Sequence, residues 1–278
     1  MEIGWYPAPA KLNLFLHVLG RREAGEHAGY HELQTVFRLI DRIDRVGIAR
    51  RDDGEVRFSG VFGEDNLCPR AARLLKTETG SRQGCDLQLE KTIPIGGGLG
   101  GGSSDAATVL WVLNRLWKTG LSQAQLIALG VKIGADVPFF IHGHNALGEG
   151  IGERLTPIDL QPAWYLVLVP QVSVSTKETF ASALTPKGKR LKIPPFFPGQ
   201  GQNDLEPVVT ARYPEVAAQL AWLRQHRPQA RMTGSGACVF AEFDSETQAR
   251  ALHTQLPGGM NGFVAQGLEQ HPLHEGKI

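Results

Sequence analysis

Alternating apolar and polar positions predict two strands in the first third of the chain. Within residues 11–19, every second position from Leu12 to Val18 is apolar, although Phe15 makes the opposite face partly apolar as well. Within residues 85–90 the alternation is complete, which predicts a strand with one buried face and one polar face.

Three helices are predicted in the first half of the chain, each beginning at a polar residue that can cap its N-terminus. They run from a cap at Asp65 to near Gly80, from a cap at Ser103 or Ser104 through Ala106 to Leu116, and from Ser122 to near Gly130. Glycine is favoured just past a helix end because it readily adopts a left-handed backbone. The second helix is apolar on most sides, so we expect it to be central.

From about Pro157 the pattern begins again and predicts a second set of strands and helices. The expected elements are a strand at 165–169, helices at 176–184 and 208–224, and then a strand, a helix and a strand. Residues 186–203 are rich in Pro, Gly and Lys with little hydrophobic period, which predicts a surface loop. The chain is therefore predicted to be an α+β protein of two domains, residues 1–157 and 158–278.

Composition and charge narrow the class of protein. The 278 residues are 42% hydrophobic and 21% charged, which is typical of a folded soluble protein. There are 29 basic and 28 acidic residues, so no broad positive field would attract nucleic acid or an anionic membrane. We expect neither a nucleic-acid partner nor a membrane partner, and any bound anion must be held locally.

Cysteine spacing and hydropathy indicate the compartment. Cys68, Cys85 and Cys238 stand far apart, which favours neither a disulfide framework nor a zinc site. No apolar run approaches the ~20 residues that a membrane helix needs. We therefore expect a cytoplasmic protein.

A glycine-rich segment between a predicted strand and a predicted helix is the strongest chemical signal. It runs from Pro94 to Ala106 and holds six glycines in the seven positions from Gly96 to Gly102. Without Cβ atoms the backbone can approach a ligand closely, and its N–H groups beside a helix N-terminus form a site for phosphate. The alternative is a flexible linker or a tight turn, which the placement directly before an apolar helix argues against.

Three familiar nucleotide-binding motifs do not account for this segment. A P-loop requires Gly-Lys five residues after a glycine, and the pairs at 188–189 and 276–277 have Ala183 and His271 at that position. The dinucleotide fingerprint is matched by glycine spacing, but residues 106–135 contain no Asp or Glu to hold a ribose. Protein-kinase signatures are absent from the sequence as well.

Two charged residues in apolar surroundings are candidates for catalysis. Lys11 stands at the start of a predicted strand, either as a surface lysine with a buried stem or as a cation beside a reacting group. Asp136 interrupts an apolar segment, either as a turn or cap residue or as an acid–base group. The two residues alone leave both alternatives open.

The segment Pro94 to Ala106 resembles the phosphate-binding loop of the GHMP small-molecule kinases. Residues 9–14 (PAKLNL), 29–37 (GYHELQTVF), 134–138 (GADVP) and 232–237 (MTGSGA) are similar to the branch that acts on 4-diphosphocytidyl-2-C-methyl-D-erythritol in non-mevalonate isoprenoid synthesis. The resemblance extends over nearly the whole chain. It implies an N-terminal ribosomal-protein-S5-like domain, a C-terminal ferredoxin-like α/β sandwich and an active site in the cleft between them.

The resemblance also implies a reaction with ATP and Mg²⁺. Asp136 would accept the proton of the substrate's 2-hydroxyl, and Lys11 would keep Asp136 ionised and oriented. The nucleotide would be held by Pro94, Ile95, Gly96, Gly97, Gly98, Leu99, Gly100, Gly101, Gly102, Ser103 and Ser104. The metal ligands stay open, with Ser103, Ser104 and Asp105 as candidates and helix capping as an equal alternative for either serine.

For the substrate, the resemblance implies a cytosine ring stacked between Tyr30 and Phe180, with His31 and Asn13 nearby. The small-molecule partner is then a cytidyl-diphospho-methylerythritol. Two alternatives remain: a GHMP kinase for a sugar, homoserine or mevalonate-like alcohol, and a nucleotide-binding regulator without turnover. A turn at 234–236 either brings further glycine backbone near the phosphates or merely joins two strands.

Overall fold

Two β-sheets with helices packed on them make up the fold. The computed structural model describes residues 2–24, 28–182, 191–193 and 196–275. In the first sheet the order is β3-β4-β2-β5-β6, with β1 paired to β2, and all pairs are antiparallel except β3 with β4. Its strands are β1 (Gly4–Arg21), β2 (His31–Arg51), β3 (Val56–Ser59), β4 (Gly84–Glu90), β5 (Ala146–Gly150) and β6 (Arg154–Pro157).

Four helices accompany the first sheet. They are α1 (Leu67–Thr79), α2 (Gly101–Leu116), α3 (Gln123–Ile133) and α4 (Val137–His142), and a short 3-10 turn at Gly63–Asp65 precedes α1. Helix α2 contacts α1, α3, α4 and both long strands, and most of its residues from Ser104 to Leu113 are buried. The prediction of a central helix after the glycine-rich segment is therefore confirmed.

The second sheet is antiparallel and has the order β10-β7-β9-β8. Its strands are β7 (Trp164–Leu168), β8 (Arg231–Met232), β9 (Val239–Phe243) and β10 (Gly262–Gln266). The accompanying helices are α5 (Thr176–Ser182), α6 (Glu206–Arg212), α7 (Pro214–His226) and α8 (Glu246–His253), and the chain continues into a 3-10 turn at Pro272–Glu275. The predicted α+β class is confirmed. The predicted domain boundary at 157/158 falls after β6 and stays a prediction.

Two predicted helix caps are wrong. Helix α1 is capped by Asn66, whose side chain accepts a hydrogen bond from the Cys68 N–H, and not by Asp65. Helix α2 begins at Gly101 with Gly100 as its N-cap, so Ser103 and Ser104 lie inside the first turn and cap nothing. Glycines are poor helix formers, and here the contacts of the surrounding fold override that local preference.

One predicted helix in the second half is also wrong in its extent. The stretch 208–224 is two helices, α6 and α7, because Pro214 has no N–H to continue α6 and instead begins α7.

Helix α3 is capped by Ser122 as predicted, with a capping box to Gln125, but continues past Gly130 to Ile133. Helix α5 is described to Ser182, and residues 186–190, 194 and 195 of the predicted loop lie outside the described residues.

The two sheets share a buried apolar layer. Ala10, Leu12 and Leu14 of β1 lie in the same cluster as Tyr165 of β7 and Phe240 of β9. The chain after β10 returns to the first sheet, where the Leu268 N–H donates to the Leu39 carbonyl at 2.8 Å. No helix within the described ranges is long and apolar enough to cross a membrane.

Candidate active site

A cavity of about 1320 Å³ lies where β1 and β2, the segment before α2, the start of α4 and helix α5 meet. It is lined by the predicted residues Lys11, Asn13, Tyr30, His31, Asp136, Phe180 and the run from Pro94 to Ser103. Ser104 is fully buried and is not part of the lining. Apart from Ser104, the structure therefore brings every predicted site residue to one cavity.

The segment Pro94 to Gly100, here called the glycine loop, leads from β4 into helix α2. Gly96, Gly98 and Gly100 have positive φ angles of 71°, 75° and 71°, a conformation that other L residues rarely adopt. A Cβ atom at Gly98 would overlap the Thr233 carbonyl oxygen. Glycine is therefore required there both for backbone conformation and for close packing.

The carbonyl groups of the glycine loop are directed into the protein. The carbonyls of Gly96 and Gly97 accept hydrogen bonds from Ala237 N at 3.3 Å and from Cys238 N at 3.1 Å. The carbonyls of Gly98 and Leu99 accept from Lys11, the first from Nζ at 2.8 Å and the second from the backbone N at 3.0 Å. The Gly100 carbonyl accepts from Ser104 N at 2.9 Å. C=O and N–H point in opposite directions across a trans peptide, so the N–H of the residue after each carbonyl points away from that carbonyl's hydrogen-bond donor. Across the described residues, no N–H from Gly98 to Ser103 donates to a protein acceptor. With the start of α2 beside them, these amides form a neutral cradle for anionic oxygens.

Lys11 is held beside Asp136 at the floor of the cavity. The Lys11 Nζ lies 3.3 Å from Asp136 Oδ2, and the two side chains are 3% and 33% exposed. Asp136 is the residue before helix α4, but its side chain makes no cap hydrogen bond. Its carboxylate is therefore paired with Lys11 and still reachable from the cavity.

Asn13 connects this pair to the rest of the fold. Its Oδ1 accepts from Lys11 Nζ at 2.6 Å, and its Nδ2 donates to Thr35 Oγ1 at 2.9 Å. Its backbone N–H donates to Thr233 Oγ1 at 2.9 Å. The Asn13 side chain thus orients the Lys11 ammonium, and its predicted contact with substrate stays a prediction.

The aromatic residues lie at another side of the same cavity. Tyr30 is 55% exposed, and the ring of His31 lies 5.3 Å from that of Phe180 with an interplanar angle of 31°. Burial, and then the nearby positive charge of Arg21, lowers the pKa of His31 below its usual value. The neutral ring and the two aromatic faces suit an uncharged planar base.

The residues missed by sequence reasoning form a second charged cluster under the glycine loop. Lys91 Nζ donates to Asp105 Oδ2 at 2.9 Å and to Asp44 Oδ2, and Lys91 and Asp105 line the cavity. Asp44 Oδ1 also accepts from the N–H groups of Thr92 and Ile93 at 2.5 Å and 2.8 Å. Of these three residues, the sequence indicates only Asp105, as one of three candidate metal ligands. Lys91 and Asp105 flank the glycine-rich segment in the sequence, and this placement could have indicated them. No local pattern indicates Asp44.

Burial sets the protonation of this second cluster. Burial opposes the charge on Lys91, but the two carboxylates outweigh it and raise its pKa. Burial also raises the pKa of Asp105 to about 7, since the negative charge of Asp44 adds to an effect that Lys91 only partly offsets. Asp105 therefore takes up a proton at a higher pH than an exposed aspartate does.

The turn between β8 and β9 supports the glycine loop from the second sheet. Gly234 lies so close that a Cβ there would stand 2.9 Å from the Gly98 carbonyl oxygen. The Gly236 N–H donates to the Thr233 carbonyl at 3.0 Å, which closes the turn. The turn thus joins two strands and packs on the glycine loop, and its nearness to bound phosphates stays a prediction.

Comparisons with known proteins agree with this arrangement. The family model described as "GHMP kinases N terminal domain" matches residues 66–144, and "GHMP kinases C terminal" matches residues 198–261. The chain is 58% identical to a 4-diphosphocytidyl-2-C-methyl-D-erythritol kinase of Nitrosospira multiformis, over 97% of this chain and 92% of that one. It is 54% identical to the kinase of the same name from Dechloromonas aromatica, over 96% and 98%.

A solved structure gives the same result for the fold. A crystal structure of 4-(cytidine 5'-diphospho)-2C-methyl-D-erythritol kinase superposes with a TM-score of 0.82 at 34% identity, covering 95% of this chain and 99% of that chain. The predicted two-domain GHMP kinase architecture is therefore confirmed. The chain belongs to the GHMP kinases and, within them, to the family of 4-diphosphocytidyl-2-C-methyl-D-erythritol kinases.

Proposed function

We propose that the protein transfers the γ-phosphoryl group of ATP to the 2-hydroxyl of 4-diphosphocytidyl-2-C-methyl-D-erythritol in the non-mevalonate isoprenoid pathway. A bond forms between the 2-oxygen and the γ-phosphorus, and the bond from that phosphorus to the β–γ bridging oxygen breaks. The products are the 2-phosphate and ADP. The observation that carries the proposal is the Lys11 ammonium, which contacts both the Asp136 carboxylate and the Gly98 carbonyl of the glycine loop.

Asp136 is the proposed proton acceptor. Its carboxylate makes no helix cap and is partly open to the cavity, so it can accept a hydrogen bond from an alcohol. The proton of the 2-hydroxyl passes to Asp136 as the phosphoryl group arrives, and then to solvent. Lys11 favours the ionised form of Asp136 by its charge and fixes the carboxylate beside the loop.

The glycine loop and the first turn of α2 are the proposed nucleotide site. Phosphoryl transfer requires mainly positioning and neutralisation of developing charge. The free amides from Gly98 to Ser103 supply both without a large net positive charge.

Mg²⁺ is the proposed cofactor with ATP, and the residues present are compatible with it. Among the described residues no group of three or more His, Cys, Asp or Glu side chains is arranged to hold a metal by itself. Asp105 Oδ1 is buried without a hydrogen-bond partner in a residue that lines the cavity, and carboxylate oxygen suits Mg²⁺. Asp105 is thus the candidate protein ligand, with most other ligands coming from phosphates and water. When bound, the ion neutralises charge on the transferred phosphate.

The proposed substrate site is the aromatic side of the cavity. Tyr30 and Phe180 offer faces for the cytosine ring, and the His31 ring lies 5.3 Å from that of Phe180. The protein is proposed to act in the cytoplasm, on a small molecule only.

The proposal is tested by ADP release with the cytidyl substrate, for the unchanged protein and for Asp136→Asn. We expect turnover to fall by about 10²- to 10⁴-fold in the variant, because the amide cannot accept the proton. The melting temperature should change little, since Asp136 is partly solvated and the buried Lys11 Nζ keeps its hydrogen bonds to Asn13 Oδ1 and the Gly98 carbonyl. Asp159→Asn, an exposed aspartate outside the cavity lining, is the matched control.

Other outcomes separate the alternatives. Full activity of Asp136→Asn would show that the base has been chosen wrongly. Turnover with homoserine, mevalonate or a sugar in preference to the cytidyl substrate would indicate another GHMP kinase. Binding of ATP without ADP release for any of these alcohols would indicate a regulator.

A further inference from the structure

Among the residues that the structure describes, four cationic side chains line the active-site cavity, and two of them are paired with carboxylates. Lys11 is paired with Asp136, and Lys91 is paired with both Asp44 and Asp105. Arg21 and Lys177 line the same cavity and are exposed, and neither forms an ion pair with any residue in the described ranges.

The acid next to Lys177 does not neutralise it. Glu178 is bound to Arg212, with Arg212 Nη2 at 2.6 Å from Glu178 Oε2. The start of helix α5 is itself fixed, because the hydroxyls of Thr176 and Ser235 lie 2.8 Å apart. Lys177 therefore extends from an anchored turn with its charge available to a ligand.

Arg21 lies near Tyr30 and Lys177 lies near Phe180, the two aromatic residues that are proposed to hold the base. Arg21 is the last residue of β1, and its Nε donates to the Gly29 carbonyl at 3.1 Å, one residue before Tyr30. Lys177 precedes Phe180 by three residues on α5, which puts both side chains on one face of the helix. A base held by Tyr30 and Phe180 would thus have a cation on each side.

The proposed substrate carries a negatively charged diphosphate, which is separated from its base by the ribose. The diphosphate that joins cytidine to the methylerythritol must lie between the aromatic side of the cavity and the Lys11–Asp136 pair. The glycine loop amides are assigned to ATP, so they do not serve this second polyphosphate. Guanidinium and ammonium groups bind phosphate by charge-assisted hydrogen bonds, and Arg does so with a planar fork.

We propose that Arg21 and Lys177 bind the diphosphate of the cytidyl substrate from opposite sides and so select a nucleoside diphosphate-linked alcohol over a free alcohol. The inference rests on the proposed function, because it assigns residues to a group of that substrate. It adds two specificity residues that lie outside the Lys11–Asp136 pair and the glycine loop.

Steady-state kinetics of Arg21→Gln, Lys177→Gln and the double variant test the proposal. Each single change is expected to raise the KM for the cytidyl substrate about three- to tenfold, as for partly solvated charge pairs, and the double change more. The kcat and the KM for ATP are expected to stay within about twofold. Arg82→Gln, an exposed arginine outside the cavity lining, is the matched control.

A binding measurement distinguishes a direct contact from a structural effect. With the nucleotide site filled by a non-hydrolysable ATP analogue, CDP is expected to bind the unchanged protein more tightly than cytidine does. That preference should weaken with added salt and should shrink in the double variant, while cytidine binding stays the same.

The outcomes separate this inference from the proposed function. An unchanged KM and an unchanged preference for CDP in the double variant would overturn the role of Arg21 and Lys177, while turnover of the cytidyl substrate would leave the proposed reaction intact. An unchanged protein that does not turn over the cytidyl substrate would overturn both. A loss of cytidine binding in the double variant would show a structural effect and would also contradict the proposal.

Discussion

Lys11 and Lys91 both line one cavity and both pair with aspartates, but their surroundings differ. Lys11 has one carboxylate partner, Asp136, which is 33% exposed, and its other contacts are neutral oxygens of Asn13 and Gly98. Lys91 has two carboxylate partners, which are 0% and 1% exposed. In the first, open cluster the carboxylate is exposed to the cavity, whereas in the second, closed cluster both carboxylates are buried, although Asp105 borders the cavity.

This difference in exposure separates a carboxylate that can react, Asp136, from carboxylates that have a structural role, Asp44 and Asp105. A carboxylate that keeps contact with solvent can exchange a proton with an alcohol and then with water. A carboxylate pair without solvent must be neutralised by a cation, and removal of that cation leaves buried charge. We infer that Lys11 acts mainly on turnover and that Lys91 acts mainly on stability, because it joins Asp105 of α2 to Asp44 of β2.

The largest expected effect is the loss of activity in Lys11→Met. Methionine retains much of the side-chain volume but removes the charge that holds Asp136, so kcat should fall about 10²- to 10³-fold. Stability should change by no more than about 2 kcal/mol, because Asp136 stays partly hydrated and no buried charge is left alone. Steady-state kinetics and urea unfolding of the same preparation give the two numbers.

A Lys11→Met protein that unfolds as readily as a Lys91 variant, with normal kcat for its folded fraction, would contradict the distinction. It would place both lysines among the structural residues. The proposal for Asp136 would then stand without its partner.

The next effect is the loss of stability in Lys91→Met. Asp44 and Asp105 would face each other without a cation, and the free energy of unfolding should fall by about 3–5 kcal/mol. For the folded fraction, kcat should stay within about tenfold of that of the unchanged protein. Denaturant unfolding measures the first quantity, and active-site titration before kinetics measures the second. A stable Lys91→Met protein with strongly reduced kcat would reverse the roles of the two clusters.

The smallest expected effect concerns the pH dependence of Asp105→Asn. The folded-state pKa of Asp105 is about 7 and lies above the ordinary value of 3.8, so the native protein binds this proton more tightly than the unfolded chain does. The contribution of Asp105 to stability is therefore present at low pH and is lost as pH rises toward 7. Asparagine imitates the protonated form at every pH. The variant should gain about 2 kcal/mol relative to the unchanged protein between pH 5 and pH 8.

Unfolding curves at several pH values between 5 and 8 provide the measurement. Asp136→Asn, in the open cluster, is the comparison variant. A constant stability difference between Asp105→Asn and the unchanged protein would show that Asp105 keeps its charge throughout this range.

Sequence reasoning found the open cluster and missed the closed one for a physical reason. Local pattern gave the strand with Lys11 and the glycine-rich turn into a helix, while family resemblance linked Lys11 with Asp136. The contact of Lys91 with Asp44 joins residues 47 positions apart. No periodicity in a single sequence indicates which distant carboxylate a lysine will reach.

The wrong helix boundaries have a similar origin. Asp65 and Asn66 are both good cap residues, and only the backbone path decides which one takes the position. Helix α2 begins among glycines because residues distant in the sequence donate hydrogen bonds to the carbonyls of the glycine loop, which is a property of the tertiary fold. The proline at 214, by contrast, was a local signal that the prediction of one helix at 208–224 should have used.

The hydrogen bonds from Ala237 and Cys238 to the glycine loop have a consequence for dissecting the molecule. A fragment truncated after β6 would contain every residue of the loop yet would lack the donors that hold the Gly96 and Gly97 carbonyls inward. Such a fragment should fail to retain ATP, even if its own sheet assembled. The two halves are thus unsuitable as interchangeable modules, and a chimera between relatives should transplant the loop together with the turn that braces it.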